Sequence, residues 1–264
     1  METTLPAMTT VVVFVATLVS AQEPPEAKME CLPFPYNQAN NVSEHRIRDL
    51  VVWIRQVLGP KSDLLSALDD LRPEICLVEA IFGAEAYFEK ESNRVVLKSD
   101  LSTAMMQAVA IHELRHVHQA KAGTCPRSTL SMQETARMTL ALEADASAVS
   151  LAIAWDLKEA GAHQTWNALS DWSTHADLAD EFEKEMNLSG DKIRATAKAF
   201  AKWYTSDWRR EEYYLSACSE YLDRQDRNHA IPMYGMAPAE FLDHLCRLPS
   251  GEPYCCEEPS MEDK

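Results

Sequence analysis

The residues best suited to chemistry stand together near the middle of the chain, at positions 111–119, IHELRHVHQ. His112, Glu113 and His116 form the pattern His-Glu-x-x-His. On an α-helix four residues advance the side chain by about 400°, so His112 and His116 share one face, one turn apart. Two imidazole nitrogens in this arrangement can bind one tetrahedral ion such as Zn²⁺. Glu113 projects beside them and is predicted to be the general base that takes a proton from water at the metal.

A zinc ion that takes part in catalysis needs a third protein ligand and an open position. The helix predicted after the motif carries three candidate acids, Glu134, Glu143 and Asp145. Glu143 is predicted to be the ligand because its face carries small residues that let another helix approach, whereas Glu134 and Asp145 point about 180° and 200° away from it. Asp145 remains the alternative ligand, and a role as ordinary helix-face acids also stays open. The small residues are Ala136, Thr139, Ala146, Ser147 and Ser150.

Two further polar residues are expected to support the ligands. If Glu143 is the ligand, Asp145 is expected to hold His112 or His116 through the free ring nitrogen. Gln119 lies seven residues after His112 and returns to the same face, where it would orient a ligand, line the cleft or simply contact water. The nearby third histidine of the motif segment, at position 118, lies about 240° round the helix and is not expected to face the ion.

Peptide hydrolysis passes through a tetrahedral oxyanion, which an additional hydrogen-bond donor usually stabilises. His229 and Tyr234 are candidates because they lie in the predicted loop 228–235, NHAIPMYG, which could fold over a cleft. Tyr213 and Tyr214 are further candidates. A core or surface role is the alternative for all four residues.

The elements that would position these residues are mostly helical. Apolar residues at Ala108, Val109, Ile111 and Leu114 wrap most of the motif helix, which is therefore expected to be buried. One stretch is typical of β-structure, a hairpin of residues 86–88 and 94–97 ahead of this helix. The sequence thus predicts a mainly α fold with a small β-hairpin before the motif helix. The predicted helices begin at Ser43 and Ser62, at Asp100 or Ser102, and at Ser128 or Ser131, with shorter helices over 163–248.

A His-Glu-x-x-His helix followed by a glutamate on the next helix resembles the gluzincin-type zinc peptidases. More closely, HELRHVHQ with Glu143-Ala144-Asp145-Ala146 is similar to a bacterial family of proposed metallopeptidases of unknown function. The resemblance covers about residues 85–150. It implies a helical zincin-like domain that binds zinc as its cofactor. His112, His116 and Glu143 would be the ligands, and Glu113 would be the base. Many gluzincins carry an aspartate four residues after the ligand glutamate, and Ser147 stands there in this chain.

The composition limits the classes of partner. The 264 residues include 25 basic and 41 acidic side chains, giving a formal net charge of −16. An acidic surface disfavours nucleic acid and anionic lipid, since both need basic residues to neutralise phosphates. It is compatible with binding a cation. A peptide or protein substrate is the predicted partner, and the sequence gives no prediction of oligomeric state.

The chain begins with an apolar run at 11–21, VVVFVATLVSA, which is too short for the roughly 20 residues of a membrane span. It ends in Val19-Ser20-Ala21, a small-x-small cleavage pattern, so 1–21 is predicted to be a signal peptide. The expected location is periplasmic or secreted, with no stable membrane span after cleavage. Because no basic residue precedes the run, an N-terminal anchor or a cytoplasmic protein is the alternative.

The remaining chain is predicted to comprise a linker at 22–42, one domain at 43–250 and an acidic tail at 251–264. There are seven cysteines, so an exported protein is expected to form disulfides and to have at least one cysteine that is free or pairs between chains. The spacing does not predict which cysteines pair. Cys255 and Cys256 are expected to anchor the tail through a disulfide.

These features together predict a zinc metallopeptidase in which metal-activated water attacks a peptide carbonyl. One alternative is a catalytically silent helical binding protein that retains a metal site. Another is a helical interaction domain whose motif is coincidental. Zinc content separates the last from the other two, and loss of hydrolysis in a Glu113→Gln variant that still binds zinc separates the first two.

Overall fold

The computed structural model describes residues 29–259. The predicted signal peptide 1–21, the first part of the predicted linker at 22–28, and residues 260–264 of the predicted tail lie outside these described residues. Within the described part the fold is mainly helical with a small sheet, which confirms the predicted class at that level.

The sheet has four strands in the order β1-β2-β4-β3. Strands β2 and β4 run parallel, while β1 pairs with β2 and β3 pairs with β4 in antiparallel fashion. The predicted hairpin is confirmed as β3 and β4, and β3 forms one edge of the sheet. The strands are β1 (Met29–Leu32), β2 (Glu74–Val78), β3 (Ala86–Glu89) and β4 (Arg94–Lys98).

The sheet contains two strands, β1 and β2, in addition to the single hairpin that the sequence predicted. Strand β1 begins at Met29 and therefore lies inside the predicted linker 22–42. Strand β1 pairs with a segment more than 40 residues later, and a disulfide joins Cys31 to the opposing Cys76. A pairing at this separation leaves no local pattern in a four-residue strand that lies among Pro and Asn residues. The domain therefore includes residues that composition alone would place in a linker.

The described part of the chain also contains nine helices. Helix α3 carries the His-Glu-x-x-His motif, and α4 carries the three candidate acids. The helices are α1 (Val42–Leu58), α2 (Asp63–Leu71), α3 (Thr103–Ala122), α4 (Met132–Glu159), α5 (Gln164–Asp171), α6 (Ala176–Ser189), α7 (Lys192–Trp203), α8 (Asp207–Arg227) and α9 (Phe241–Leu245).

Local capping fixes the ends of the two helices that carry the motif and the acids. The Ser102 hydroxyl accepts from the Met105 amide at the start of α3, and Gly123 ends that helix in the left-handed conformation with φ 73°. The Ser131 hydroxyl accepts from the Glu134 amide at the start of α4. Each cap satisfies a backbone group that the first or last turn leaves without a helical partner.

Helix α3 lies between the sheet and α4, packing against β3 and β4 on one side and α4 on the other. Helix α4 in turn packs against α5, α7 and α8. Among the described helices, α4 is long and apolar enough to cross a membrane by length and composition, but 83% of its most apolar window is buried inside the protein. It is accordingly the central helix of the core.

The C-terminal segment is part of the domain rather than a separate tail. A disulfide joins Cys246 to Cys256, and the Tyr254 amide donates to the Cys246 carbonyl over 3.0 Å. Tyr254 is 1% exposed. The packed domain therefore continues past the predicted boundary at 250. Burial of Tyr254 and the disulfide hold this stretch on the domain despite its acidic composition. The unpaired cysteines are Cys125, Cys218 and Cys255.

Candidate metal centre

Helices α3 and α4 bring three side chains together with their donor atoms facing one another. His112 Nε2 and His116 Nε2 lie 3.1 Å apart. The carboxylate of Glu143 lies 3.4 Å from each of them, through Oε2 to His112 and Oε1 to His116. Of the three acids considered on α4, Glu143 is the one that meets the histidine pair.

The donor atoms of His112, His116 and Glu143 form a triangle with the dimensions that a tetrahedral ion requires. Ligand atoms about 2.0–2.1 Å from a tetrahedral zinc ion lie about 3.4 Å from one another. The observed separations of 3.1, 3.4 and 3.4 Å are close to that value. The three side chains keep 16–17% of their surface exposed, so the site is not fully closed to solvent. His112, His116 and Glu143 are therefore able to hold a metal ion.

Gln119 fixes the orientation of one of these histidines. Its amide nitrogen donates to the Leu142 carbonyl over 3.0 Å and to Asp145 Oδ2 over 2.7 Å. Its Oε1 therefore faces His116 Nδ1, 2.7 Å away, and can only accept there. His116 must carry a proton on Nδ1, so Nε2 is the nitrogen that it can offer to a metal. The expected supporting role of Gln119 agrees with this geometry.

Asp145 has a different contact from the one expected. It touches neither His112 nor His116, because it points to the opposite side of α4 from Glu143. Its two oxygens instead accept four hydrogen bonds, two from Arg115, one from Gln119 and one from Tyr254. Each oxygen thus accepts two hydrogen bonds and the residue is 0% exposed, which leaves no position on this carboxylate for a metal ion. It supports His116 indirectly, through Gln119.

The electrostatics of the triangle favour a cation. Burial lowers the pKa of His116, but the charge and hydrogen bond of Glu143 outweigh it and raise that pKa to about 9. Burial raises the pKa of Glu143, but His116 and His112 outweigh it and lower that pKa well below its usual range. The carboxylate thus stays ionised beside the imidazoles, as a ligand to a divalent metal must.

Glu113 lies beside the triangle in a different environment. Its side chain is 5% exposed, and its Oε2 is buried without a hydrogen-bond partner. Burial raises the pKa of this carboxyl, while His116, His112 and the backbone of Phe88 on β3 act in the opposite direction. A carboxylate whose pKa is raised is a stronger base, which suits it to take a proton. The contact with Phe88 also places the edge strand beside the site.

A comparison with known protein families matches residues 22–256 to a family described as "Putative metallopeptidase family (DUF6782)". The chain belongs to this family. The match includes the motif helix, the candidate ligands and the disulfide-closed C-terminal segment. Searches of curated proteins and of solved structures gave no match. Membership in this family supports a peptidase that depends on a metal.

Two further residues lie near the triangle of this family member, and the first of them, His175, was not a candidate from the sequence. His175 stacks on Trp172 with ring centroids 4.0 Å apart, and its ring centroid lies 6.3 Å from that of His112. Burial, followed by the charges of His112 and Arg209, lowers the pKa of His175 to about 3. The ring is therefore neutral near pH 7. No local sequence signal marks His175, since it comes to the site from the start of α6.

Tyr213 on α8, one of the candidate oxyanion donors, is the second of these residues. Burial raises the pKa of its hydroxyl, and the charges of Glu143 and Glu113 raise it further. The hydroxyl thus lies within the electrostatic reach of both carboxylates and stays protonated. In the sequence this residue stands in an aromatic cluster typical of core packing, so only the fold distinguishes it.

The expected oxyanion donors in the loop after α8 have no contact with the triangle. Both His229 and Tyr234 are exposed, Tyr234 by 85%. No hydrogen bond, ion pair or ring contact joins either side chain to the three candidate ligands, so their role stays a prediction. His118 faces away as expected and lies 3.2 Å from Arg115 Nη1.

Proposed function

We propose that this protein is a zinc-dependent metallopeptidase with the ligand arrangement of the gluzincins. The observation that carries the proposal is the convergence of His112, His116 and Glu143 beside a buried, partly unpaired Glu113. A structural metal site needs no such carboxylate. A hydrolytic site needs one to move the proton of the attacking water.

The donor set fits zinc. Two imidazole nitrogens and one carboxylate oxygen are a common ligand set of catalytic zinc sites, which keep the remaining position open. When bound, zinc supplies Lewis acidity, which acidifies a water molecule and polarises the substrate carbonyl. The shell behind the ligands supports the same assignment, because Gln119 holds His116 in the tautomer that presents Nε2.

Glu113 performs the proton transfer in this proposal. Its free Oε2 accepts the proton that the attacking water loses, and the same carboxyl then gives it to the nitrogen of the departing amine. The Tyr213 hydroxyl, which stays protonated within the electrostatic reach of the two carboxylates, donates a hydrogen bond to the oxygen of the tetrahedral intermediate.

Strand β3 is the element that would orient a peptide substrate. It is an edge strand that pairs with β4 on one side, and the backbone of its Phe88 lies at the Glu113 carboxylate. An extended peptide can add to such an edge through main-chain hydrogen bonds, which hold its scissile bond at a fixed distance from the site.

We also propose that the protein is exported. Two disulfides, Cys31–Cys76 and Cys246–Cys256, lie in the described part of the chain, and structural disulfides are typical of oxidising compartments. The expected mature chain begins at Gln22. Intact mass measurement of the protein recovered from its native host tests this, and a chain that retains residues 1–21 would contradict it.

Metal content tests the site itself. We expect about one zinc ion per chain in the purified protein by elemental mass spectrometry, and none in His116→Ala. His163→Ala serves as the control, since His163 is exposed and outside the triangle. Wild-type protein that takes up no metal when zinc is supplied at neutral pH would overturn the proposal.

Glu113→Gln tests the chemistry. We expect this variant to keep its zinc and to cleave a peptide library about 100- to 10,000-fold more slowly than the wild type, the usual contribution of a general base. If the wild type binds zinc but cleaves no peptide or protein substrate, the protein is a binding protein that retains a metal. Equal cleavage by the wild type and the variant would remove Glu113 from the mechanism.

A further inference from the structure

We propose that Tyr254 is a positioning residue for the metal centre, and that the disulfide-closed C-terminal segment 246–256 sets its metal affinity. The inference rests on the proposed metal site. It adds a residue and an element that lie more than 100 positions from the motif in the sequence. Three hydrogen bonds connect Tyr254 to His116 through Asp145 and Gln119, and a disulfide closes the segment around Tyr254.

The first step is the hydrogen bond between Tyr254 and Asp145. The tyrosine ring is buried, 6.3 Å from the ring of Phe200 between centroids, and its hydroxyl donates to Asp145 Oδ1 over 2.6 Å. A hydroxyl at this depth has no water to replace Asp145 as its partner. Its hydrogen bond therefore constrains the carboxylate as well as the tyrosine.

The second step is the arrangement of donors around Asp145. Oδ1 accepts from Tyr254 and from Arg115 Nη2, and Oδ2 accepts from Arg115 Nε and from Gln119 Nε2. The hydroxyl thus occupies one of four sites on a saturated, fully buried carboxylate. Without it, Oδ1 loses a partner and the carboxylate is free to turn toward its remaining donors.

The third step runs from Asp145 to the ligand. The Gln119 amide keeps its orientation because Asp145 Oδ2 and the Leu142 carbonyl both accept from its nitrogen. A turned carboxylate weakens this preference and allows Gln119 to present either end to His116 Nδ1. His116 would then no longer be held in the single tautomer that offers Nε2 to a metal.

The fourth step is the disulfide. It joins Cys246 to Cys256 on either side of Tyr254, and the same turn supplies the Leu245 and Arg247 carbonyls that accept from Arg115 Nη2 at 2.8 Å. The segment therefore holds Asp145 directly through Tyr254 and indirectly through Arg115. A dithiol that reduces this disulfide becomes oxidised to its own disulfide and leaves two thiols, which frees both connections.

Tyr254→Phe tests the positioning role. We expect its zinc dissociation constant, measured by competition with a chromophoric chelator, to rise about tenfold, the lower end of the range for residues behind metal ligands. The visible absorption spectrum of the cobalt-substituted variant is also expected to change, because the geometry at His116 changes.

Two tyrosines provide matched controls. Tyr204→Phe removes a buried hydroxyl that has no hydrogen-bond partner, and Tyr36→Phe removes one that donates to the Pro73 carbonyl, away from the site. We expect Tyr36→Phe to lower the melting temperature of the metal-free protein, and both controls to keep the wild-type zinc affinity and cobalt spectrum. An equal loss of zinc affinity in Tyr36→Phe and Tyr254→Phe would reduce Tyr254 to a structural role and overturn the proposal.

A double-mutant cycle tests the route. In a Gln119→Leu background, Tyr254→Phe is expected to cause no further loss of zinc affinity, because the connection to His116 is already broken. Additive losses in the double variant would show that Tyr254 acts by another route and would overturn the positioning role.

The disulfide is tested with two paired variants. Cys246→Ala/Cys256→Ala is expected to weaken zinc binding at least as much as Tyr254→Phe, while Cys31→Ala/Cys76→Ala is expected to lower the melting temperature and leave zinc affinity unchanged. Cys76 packs in a small cluster with Val78 and Val96, apart from the main core. Equal zinc affinity in the two paired variants would overturn the role of the segment.

Failure of this inference is distinguishable from failure of the proposed function. If wild-type protein binds no metal, both are wrong. If the wild type binds about one zinc ion and cleaves peptides, while Tyr254→Phe has wild-type affinity and spectrum, only the role of Tyr254 is wrong.

Discussion

Glu113 lies in an environment that is unusual for a buried carboxylate. Its Oε2 is buried without a partner, and an unsatisfied buried polar atom costs about 1–3 kcal/mol of stability. Most buried polar atoms in native proteins have a partner, and exceptions are often associated with function. The protein is therefore expected to be less stable with this carboxylate than without it.

Glu113→Met is expected to stabilise the metal-free protein while abolishing hydrolysis. Methionine has a similar length and leaves no unpaired oxygen, so the free energy of unfolding should rise by about 1 kcal/mol. Chemical denaturation of protein treated with a chelator measures this. The same substitution at the exposed Glu159 is the control and should leave stability unchanged. A less stable Glu113→Met variant would mean that the carboxylate is already satisfied.

Tyr213→Phe is expected to lower kcat by about 100- to 1,000-fold, the usual effect of removing an oxyanion donor, with zinc content unchanged. Its neighbour Tyr214 is exposed, so Tyr214→Phe is the matched control and should retain full activity. Steady-state kinetics on the best library peptide provide the comparison. A rise in KM with kcat intact would instead give Tyr213 a role in binding substrate.

The candidate ligands were predictable because their geometry is nearly local. His112 and His116 are one turn apart on α3, and the small-residue face of α4 selects Glu143. The partners of Asp145 were not predictable, because Arg115 and Tyr254 lie 30 and 109 residues away from it. Helical angles indicate which way Asp145 points but not which distant side chain it meets.

At the scale of elements, Arg209 joins α8 to α6. Its guanidinium is 3% exposed and donates to both oxygens of Asp177, and also to the Trp203 and Thr174 carbonyls. Helix α8 carries Tyr213, and Thr174 precedes His175. The contact therefore fixes the two additional residues of the site relative to each other.

Asp177→Asn is expected to destabilise the protein near pH 7 by about 1–2 kcal/mol, a value reduced because the Asp177 side chain is 39% exposed. Burial alone would raise the pKa of Asp177, but Arg209 outweighs it and lowers that pKa. The stabilisation that the Arg209–Asp177 ion pair gives the folded state is therefore fully present above the unfolded-state pKa of about 3.9. It is lost as the pH falls through the folded-state pKa. Urea unfolding between pH 7 and pH 3 measures it, with the exposed Asp180→Asn as the control. If the difference in unfolding free energy between the wild type and Asp177→Asn stayed constant down to pH 3, the ionised Asp177 would not be its cause.

The elements differ in how far the sequence predicts them. Helices α3 and α4 begin and end near the predicted positions because capping residues and helical periodicity are local signals. Strands β1 and β2 were missed because each is four or five residues long and is stabilised by pairing across many residues of chain. The C-terminal segment was assigned to a tail because its acidic composition conceals the burial of Tyr254 and Cys256.

At the scale of the whole molecule, a bound metal would act as a cross-link between two core helices. His112 and His116 belong to α3, Glu143 belongs to α4, and both helices lie at the centre of the packing. A ligand that binds only the folded state stabilises it in proportion to the logarithm of its concentration. Metal binding should therefore be visible in global unfolding.

We expect zinc at about 1,000 times its dissociation constant to stabilise the fold by about 4 kcal/mol, which raises Tm by on the order of 10 °C in a chain of this length. Scanning calorimetry with zinc and with a chelator measures the difference. His116→Ala should lose this dependence, and His163→Ala should keep it. A zinc-dependent shift that persists in His116→Ala would place the ion elsewhere.

The three candidate ligands and Glu113 lie on α3 and α4, Tyr213 lies on α8, and none of these residues lies on a loop. Groups on packed helices are held more precisely than groups on loops, so the site has its working geometry before anything enters it. A small inhibitor with a hydroxamate group would then bind without waiting for a rearrangement. Its observed association rate should increase linearly with inhibitor concentration, with no plateau, because no slow step precedes capture.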